Sequence, residues 1–456
     1  MRKILLTLLI ILVLLGIGAL VFAFWPTNSR PVAVPAGGMA DAGLKERGHY
    51  LALAADCGAC HTKPGEAPFS GGLPLASPVG VIYSSNITPD KETGIGDYSL
   101  DDFARAVRHG ITPAGATLYP AMPYPSYAIM PDADIAALYA YFTQTVPAVR
   151  AENRSAEITW PLSMRWPLSI WRKLYAPDPD QVTFDPARYT DPVIARGAYL
   201  VLGPGHCGAC HTPRAITLQE VALDERSTDY LSGGPVIDGW VAVNLRGDNA
   251  DGLGTWSVED IAATLRGARN PHHAVIGKPM QQVVTDSMQH MTDDDRLAIA
   301  AYLKSLQGSG RSKSEFVADI GTTKALAAGQ EPEVGAEIYL DNCAACHRTN
   351  GMGDERVFPR IAGNPTVLAD DPASLIRLVL AGSSLPGTQT APSRLGMPGF
   401  DWRLSDTQVA ELLTFIRRGW GNRADAVSAD QVADVRKTIA DERKGEGTAA
   451  SLAERK

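Results

Sequence analysis

The chain begins with a run of apolar residues, 4–25, that contains no charged side chain. In an α-helix, about 22 residues rise about 33 Å, which is enough to cross the hydrocarbon core of a bilayer. Arg2 and Lys3 precede the run and Pro26 follows it, so the positive-inside tendency predicts a cytoplasmic N-terminus and an exported remainder. We therefore expect residues 1–30 to form one transmembrane anchor. A cleaved signal segment is the alternative, although its apolar core is usually shorter.

Three later segments repeat apolar residues at the spacing i, i+3, i+4 and i+7, which is typical of a helix with one buried face. Acidic residues precede each segment, as suits a helix N-terminus. The apolar positions are Ile135, Leu138, Tyr139 and Phe142 in the first segment, Ile299, Tyr302, Leu303 and Leu306 in the second, and Val409, Leu412, Leu413 and Ile416 in the third. Strand-like alternation is sparse and loops rich in Gly and Pro are frequent, so the pattern predicts an all-α fold.

A motif with the pattern Cys-x-x-Cys-His occurs three times, at 57–61, 207–211 and 343–347. A glycine followed closely by Tyr-Leu stands before each motif, in what we expect to be a helix leading into it. These glycines are Gly48, Gly197 and Gly335. The motifs are separated by roughly 140 residues, which is the size of a domain and much longer than a solenoid repeat.

The repeats predict three tandem modules, each opened and closed by a helix. The expected boundaries are 43–148, 191–308 and 330–422 for the modules, 149–190 for a linker, and 423–456 for a charged tail that ends in a solvated helix. Residues 86–108 of the first module resemble residues 244–266 of the second, and each of these two segments starts with an asparagine. The third module has a shorter version of this middle stretch.

The motif places two thiols and one imidazole on the same side of a helical turn. Two thiols can form covalent links to one edge of a porphyrin while the histidine reaches the iron. We therefore predict three covalently bound c-type haems. The attaching residues are Cys57, Cys60, Cys207, Cys210, Cys343 and Cys346, and the iron ligands are His61, His211 and His347. A zinc site would need further ligands after the six cysteines are used, and a thioredoxin-like pair expects a single motif in a βαβ unit.

A methionine as the second iron ligand distinguishes an electron carrier from a haem enzyme, because it raises the potential and closes the iron to substrates. Met122 and Met397 lie in proline-containing loops shortly before the closing helices of the first and third modules, and Met280 has the matching place in the second. Met288 and Met291 compete with Met280. Met291 resembles the first module's Met130, which we interpret as a packing residue.

The composition narrows the function further. The chain has 456 residues with 42 Lys and Arg against 50 Asp and Glu, a net charge of −8, which argues against a nucleic-acid partner. Nucleotide-binding loops and a His-Glu-x-x-His motif are missing from the sequence, and we assign no catalytic residue. A chain with three haems and no substrate-binding motif is expected to move single electrons between partners.

Several segments together resemble one family, the three-haem cytochrome c subunits of membrane-bound periplasmic dehydrogenases. They are the triple Cys-x-x-Cys-His motif, residues 86–96, 118–127, 160–168 and 400–406. The similarity extends over residues 43–425. The long N-terminal anchor departs from many relatives, in which a cleaved signal precedes the first module.

The resemblance implies a large catalytic subunit that oxidises an alcohol, aldehyde or sugar acid with its own cofactor. This chain would accept the electrons and pass them to ubiquinone in the inner membrane, with its body on the periplasmic face. Two other functions stay open. A multihaem enzyme such as a peroxidase would have an open second haem, where the methionine assignment is weakest, and a respiratory-oxidase subunit would associate with haem-copper subunits instead.

Overall fold

The computed structural model describes residues 1–35, 37–237, 239–270, 276–310, 316–330, 333–355, 357–385 and 387–453. The described chain is mostly helical with little strand, and it divides into two compact units. The first unit contains residues Met1–Arg188 and Tyr199–His206, and the second contains Tyr189–Ala198 and the chain from Cys207 onward.

The first unit contains seven helices of its own and one small sheet. The helices are α1 (Arg2–Phe24), α2 (Ala42–Ala54), α3 (Cys57–His61), α4 (Leu100–Ala104), α5 (Tyr124–Tyr127), α6 (Asp132–Gln144) and α7 (Trp166–Tyr175), and α4 continues as a π-helical turn, Arg105–His109. The strands β1 (Pro74–Ser77), β2 (Gly80–Tyr83) and β3 (Glu157–Ile158) are antiparallel neighbours in that order. Leu75 is paired with Ile82, and Gly80 with Ile158.

Helix α8 (Pro192–Leu202) contributes residues to both units. The other helices of the second unit are α9 (Gly208–His211), α10 (Val258–Gly267), α11 (Met280–Asp286), α12 (Asp293–Ser305), α13 (Gly321–Ala328), α14 (Val334–Asn342), α15 (Ala344–His347), α16 (Pro365–Leu368), α17 (Ala373–Ala381), α18 (Asp406–Arg418) and α19 (Ala429–Ala453). Two antiparallel strand pairs complete it, β4 (Val236–Ile237) with β5 (Trp240–Val241) and β6 (Ser383–Ser384) with β7 (Gly396–Met397). Short 3₁₀ turns occur at Pro186–Arg188, Met288–His290 and Gly419–Gly421.

The predicted closing helices are present as α6, α12 and α18. Local sequence explains where helices begin, because Ser99, Ser257 and Ser405 each form a capping box at the start of α4, α10 and α18. In a capping box the serine hydroxyl and the side chain three residues later satisfy main-chain N–H groups that have no partner inside the helix.

One helix crossing occurs three times. A Cβ atom added at Gly48 would overlap the carbonyl oxygen of Ala137 in α6, and the same holds for Gly197 against Ala298 in α12. Gly335 likewise lies against the carbonyl of Glu411 in α18. The glycines recognised in the sequence are therefore contact points at which the helix before each cysteine motif crosses the closing helix.

Apolar cores form around two of these crossings. In the first unit Leu51, Ile135 and Phe142 are buried with Met130, and in the second unit Tyr339, Leu412 and Trp420 are buried together. Aromatic rings strengthen both clusters. Phe69 meets Phe142 edge to face at 5.2 Å, and Tyr339 lies 5.0 Å from Trp420 between ring centres.

Residues 149–190, expected to link two modules, are built into the units. Strand β3 extends the sheet of the first unit, and the side chain of Asn153 accepts a hydrogen bond from the main chain of Asn86 and donates one to the carbonyl of Thr93. Helix α7 lies against α1. The segment is therefore part of the first unit as far as Arg188.

The charged tail differs from the solvated segment expected from its composition. Val432 and Ile439 of α19 are buried, with 0% and 5% of their surface exposed, in the core that also contains α18. Ion pairs join the same helix to its surroundings, from Arg436 to Asp406 at 2.7 Å and from Arg443 to Asp401 at 2.6 Å. Sparse apolar residues at helical spacing are sufficient to bury one face of an otherwise charged helix.

Helix α1 is long and apolar enough to cross a membrane, which agrees with the expectation for residues 1–30. Its side chains are exposed along nearly the whole helix, and Ala23 near its end is buried. Among the described residues, this is the helix that meets the length and composition of a membrane span.

Candidate functional site

Each cysteine motif forms one short helical turn, in α3, α9 and α15. Within the described residues, the six cysteines form no disulfide with one another. Cys57 and Cys343 are more deeply enclosed than Cys60 and Cys346. Burial raises the pKa of Cys57, Cys207 and Cys343 to about 12. Thiols with such high pKa values are poor thiolate ligands for a metal ion, and no group of three His, Cys, Asp or Glu residues suited to a metal lies in the described part of the chain.

The three motif histidines have the same hydrogen-bond arrangement. Nδ1 of His61 lies 2.7 Å from the carbonyl oxygen of Ser85, Nδ1 of His211 lies 2.7 Å from that of Val243, and Nδ1 of His347 lies 2.9 Å from that of Pro359. A carbonyl oxygen can only accept, so Nδ1 carries the proton and donates it. Nε2 then keeps a free lone pair, and the ring is held in one orientation.

Burial lowers the pKa of all three imidazoles, although the hydrogen bond to the carbonyl opposes this effect. The lowered pKa favours the neutral form. A neutral imidazole with its Nδ1 proton engaged is the form that binds iron through Nε2.

The main chain of each motif histidine is anchored as well. The carbonyl oxygen of His61 accepts a hydrogen bond from the N–H of Gly71, that of His211 from Gly233, and that of His347 from Gly353, at 2.8 to 3.0 Å. A Cβ atom at Gly71 would overlap Ser85, and one at Gly353 would overlap the main chain of Phe358 and Pro359. Gly71 and Gly353 therefore let the chain that provides the Nδ1 acceptor approach its histidine closely, whereas a Cβ atom at Gly233 would make only ordinary contacts.

The methionines fall into two groups by burial. Met122, Met280 and Met397 are partly exposed, and they lie in a loop, at the first residue of α11 and in β7. The competing residues Met130, Met288 and Met291 are 1%, 4% and 4% exposed and belong to packed interiors. Arg108 donates to the carbonyl of Met130 as Arg296 does to that of Met291. Arg296 also donates to the carbonyl of Met288 at 2.8 Å, so this contact places both Met288 and Met291 in the interior that corresponds to Met130.

The three carbonyl acceptors of the motif histidines were not predicted from the sequence. Ser85 and Val243 directly precede Asn86 and Asn244, which begin the similar stretches of the first two repeats. The amide of each asparagine organises the following turn, because Oδ1 accepts from the N–H of Thr88 in one and of Arg246 in the other, at 2.9 Å. The repeated asparagine was thus a usable signal. Pro359 in the shorter third repeat had no such marker.

These observations fit covalent haem attachment. Paired cysteines and an Nδ1-anchored histidine on one turn are the donor set of a c-type cytochrome. Residues 332–420, which include the third motif, match the cytochrome c family model. The fold and the site therefore place the chain among the c-type cytochromes.

The relatives define the family within that class. The chain is 55% identical over 409 residues to the gluconate 2-dehydrogenase cytochrome c subunit of Pantoea cypripedii, covering 89% of this chain and 92% of the relative. It is 50% identical over 402 residues to the cytochrome c subunit of the quinone alcohol dehydrogenase of Gluconacetobacter polyoxogenes, covering 88% and 85%. The fructose dehydrogenase cytochrome subunit of Gluconobacter japonicus is 36% identical, covering 86% and 82%. The chain belongs to the family of electron-transferring dehydrogenase cytochrome c subunits.

Proposed function

We propose that the chain binds three haems, one at each Cys-x-x-Cys-His motif, in three tandem cytochrome c modules. The repeated Nδ1–carbonyl bond is the observation that carries this proposal, because His61, His211 and His347 are prepared in the same way for ligation through Nε2. The repeated helix crossing at three glycines supports it independently.

The proposed second ligands are Met122, Met280 and Met397. Main-chain hydrogen bonding positions two of them. Met397 pairs with Ser383 across the β6–β7 ladder, and Met122 accepts a hydrogen bond from the N–H of Tyr124 at 2.8 Å. Bound haem with a His/Met ligand pair supplies reversible one-electron transfer at a raised potential.

We further propose that this chain accepts electrons from a dehydrogenase subunit and delivers them to ubiquinone in the inner membrane. The names of the relatives support a partner that oxidises an alcohol or a sugar acid. Helix α1 would hold the body on the periplasmic face, with Arg2 and Lys3 on the cytoplasmic side.

The haem count is tested on the purified chain by haem extraction assays and intact mass. The wild-type protein is expected to carry three haems. Replacing Cys207 and Cys210 together by Ser is expected to remove the mass of one haem and leave two. The matched control, Ser227→Ala together with Ser232→Ala, should leave all three haems in place. A single haem in the wild-type protein would overturn the three-module proposal.

The electron-transfer role is tested by purifying the chain from native membranes and identifying the large subunit that accompanies it. Gluconate, ethanol, acetaldehyde and sorbitol are then offered as donors, and haem reduction is followed before and after addition of a ubiquinone analogue. Reduction by one donor and reoxidation by quinone are expected. Binding of carbon monoxide to one haem in the native protein, together with peroxide turnover, would instead favour a haem enzyme.

A further inference from the structure

Helix α7 has an unusual distribution of side chains. Its single buried residue is Arg172, at 7% exposure, while its apolar side chains are partly or fully exposed. Leu174 is 60% exposed, and in the turn before the helix Trp160 and Leu162 are 74% and 60% exposed. A helix on the surface of a water-soluble domain normally buries its apolar side chains and exposes its charges. The reversed arrangement of α7 indicates an apolar surrounding.

The charges of this segment all have one sign. Residues 158–177 include Arg165, Arg172 and Lys173 and no acidic residue, in a chain whose net charge is −8. The guanidinium of Arg165 lies over the ring of Tyr119 at 4.3 Å, and that of Arg172 donates to the hydroxyl of Thr27 at 2.7 Å. Arg172 is buried, so Arg165 and the partly exposed Lys173 carry the surface charge of the segment. Cations beside an exposed tryptophan complement anionic phospholipid headgroups.

The same helix contacts the end of the apolar helix α1. Nζ of Lys173 lies 2.6 Å from the carbonyl oxygen of Phe22 and 2.8 Å from that of Trp25, and the hydroxyl of Ser169 donates to the carbonyl of Ala23 at 2.7 Å. The last carbonyls of a helix have no partner within the helix, and a cation is favourable beside them. These contacts hold α7 at the level where a span formed by α1 would leave the hydrocarbon.

We propose that Trp25, Trp160, Leu162 and Leu174 form a membrane collar, a second lipid-contacting surface that rests in the headgroup region beside α1. The inference rests on the proposed role of α1 as an anchor. Continuity with α1, the exposed Trp25 and Trp160, and the absence of acidic residues from the sequence 158–177 select a bilayer as the occupant. The collar would hold the first unit against the membrane surface, whereas α1 alone would leave it tethered.

The test uses the full haem-loaded chain in vesicles of phosphatidylethanolamine and phosphatidylglycerol that contain a phospholipid with a photoreactive group at the glycerol level. After irradiation, lipid adducts are mapped by mass spectrometry. Adducts are expected in α1 and in residues 160–174, and none at Ile216, an apolar residue that is 99% exposed. Adducts in α1 without any in 160–174 would overturn the collar and leave the anchor standing. Adducts in neither segment would overturn the anchor itself.

Matched variants separate lipid contact from chance labelling. Leu162→Asp together with Leu174→Asp is expected to reduce labelling of residues 160–174 severalfold, because a charge is unfavourable in the apolar part of the interface. Ile216→Asp together with Val221→Asp alters two other exposed apolar residues and should leave labelling unchanged. Because all four side chains are exposed, both variants are expected to fold. Circular dichroism verifies this. A different result would make this surface a protein interface and would overturn the proposal. In that result, residues 160–174 are not labelled by lipid in vesicles, and their amide exchange slows only when the dehydrogenase subunit binds.

Discussion

Gly48 of α2 lies so close to α6 that a Cβ atom at this residue would overlap the carbonyl oxygen of Ala137. The obstacle is main chain, which cannot rotate away as a flexible side chain would. The same relationship joins Gly197 to Ala298 and Gly335 to Glu411. Each motif is thus held by a helix crossing that only glycine permits at the contact point.

Replacing Gly48 by Ala is therefore expected to separate α2 from α6 and to lower the stability of the first unit by about 1–3 kcal/mol, the usual cost of overpacking. The measurement is the apparent unfolding midpoint of the haem-loaded protein in urea. Gly58→Ala is the control, since a Cβ atom there would meet only the ring of Phe69 at 3.8 Å and the third motif already carries Ala344 at this place. Equal midpoints for the two variants would contradict the crossing argument.

The methionine assignment predicts a difference between Met122 and Met130. Met122→Leu is expected to lower the midpoint potential of one haem and leave the other two unchanged, because loss of the thioether removes the ligand that raises the potential. Met130→Leu keeps the volume of a buried packing residue and should cost less than about 1.5 kcal/mol without shifting any potential. A redox titration monitored by optical spectra distinguishes the two variants. A shift with Met130→Leu and none with Met122→Leu would reverse the assignment.

The buried His109 predicts an acid-dependent loss of stability. Burial lowers the pKa of His109 to about 4, and the nearby Asp180 carboxylate only partly opposes this. In the unfolded chain the pKa of histidine is near 6.5, so the unfolded state binds the proton more readily. The stabilisation is complete above about pH 6.5 and is lost as the pH falls towards 4, with a total of about 3 kcal/mol.

Unfolding free energies between pH 7 and pH 4 measure this effect. His109→Gln should flatten the pH dependence of the first unit in this range. His49→Gln, at an exposed site in the same unit, should preserve it. An unchanged slope in the His109 variant would show that another group is responsible.

Retention of α1 is a further prediction. Cleavage after Trp25 would remove the carbonyls of Phe22, Ala23 and Trp25 that Lys173 contacts, and it would remove Ala23, which is 5% exposed. We expect the intact mass of the mature protein to include residues 4–25. Lys173→Ala should loosen the end of α1 without causing cleavage, with increased amide exchange in residues 20–27. A mature chain that starts beyond residue 25 would disprove retention.

Features that depend on near neighbours in the chain could be predicted from the sequence. The Cys-x-x-Cys-His motifs, the apolar helix α1 and the closing helices α6, α12 and α18 follow from residues a few positions apart, because a helical turn brings i, i+3 and i+4 to one face. The haem-binding chemistry of the cysteines and the threefold repeat could also be predicted, because all residues of one motif lie within a few positions of each other.

The distant groups that complete these features become visible in the folded chain. The carbonyls of Ser85 and Pro359 are main-chain atoms, which have no side-chain signature, and they reach His61 and His347 through the path of a loop. The reversed exposure of α7 and the buried face of α19 likewise depend on packing against helices far away in the chain. A local pattern predicts the secondary structure of a segment. Contacts between distant segments determine which face of that segment is buried and which is exposed.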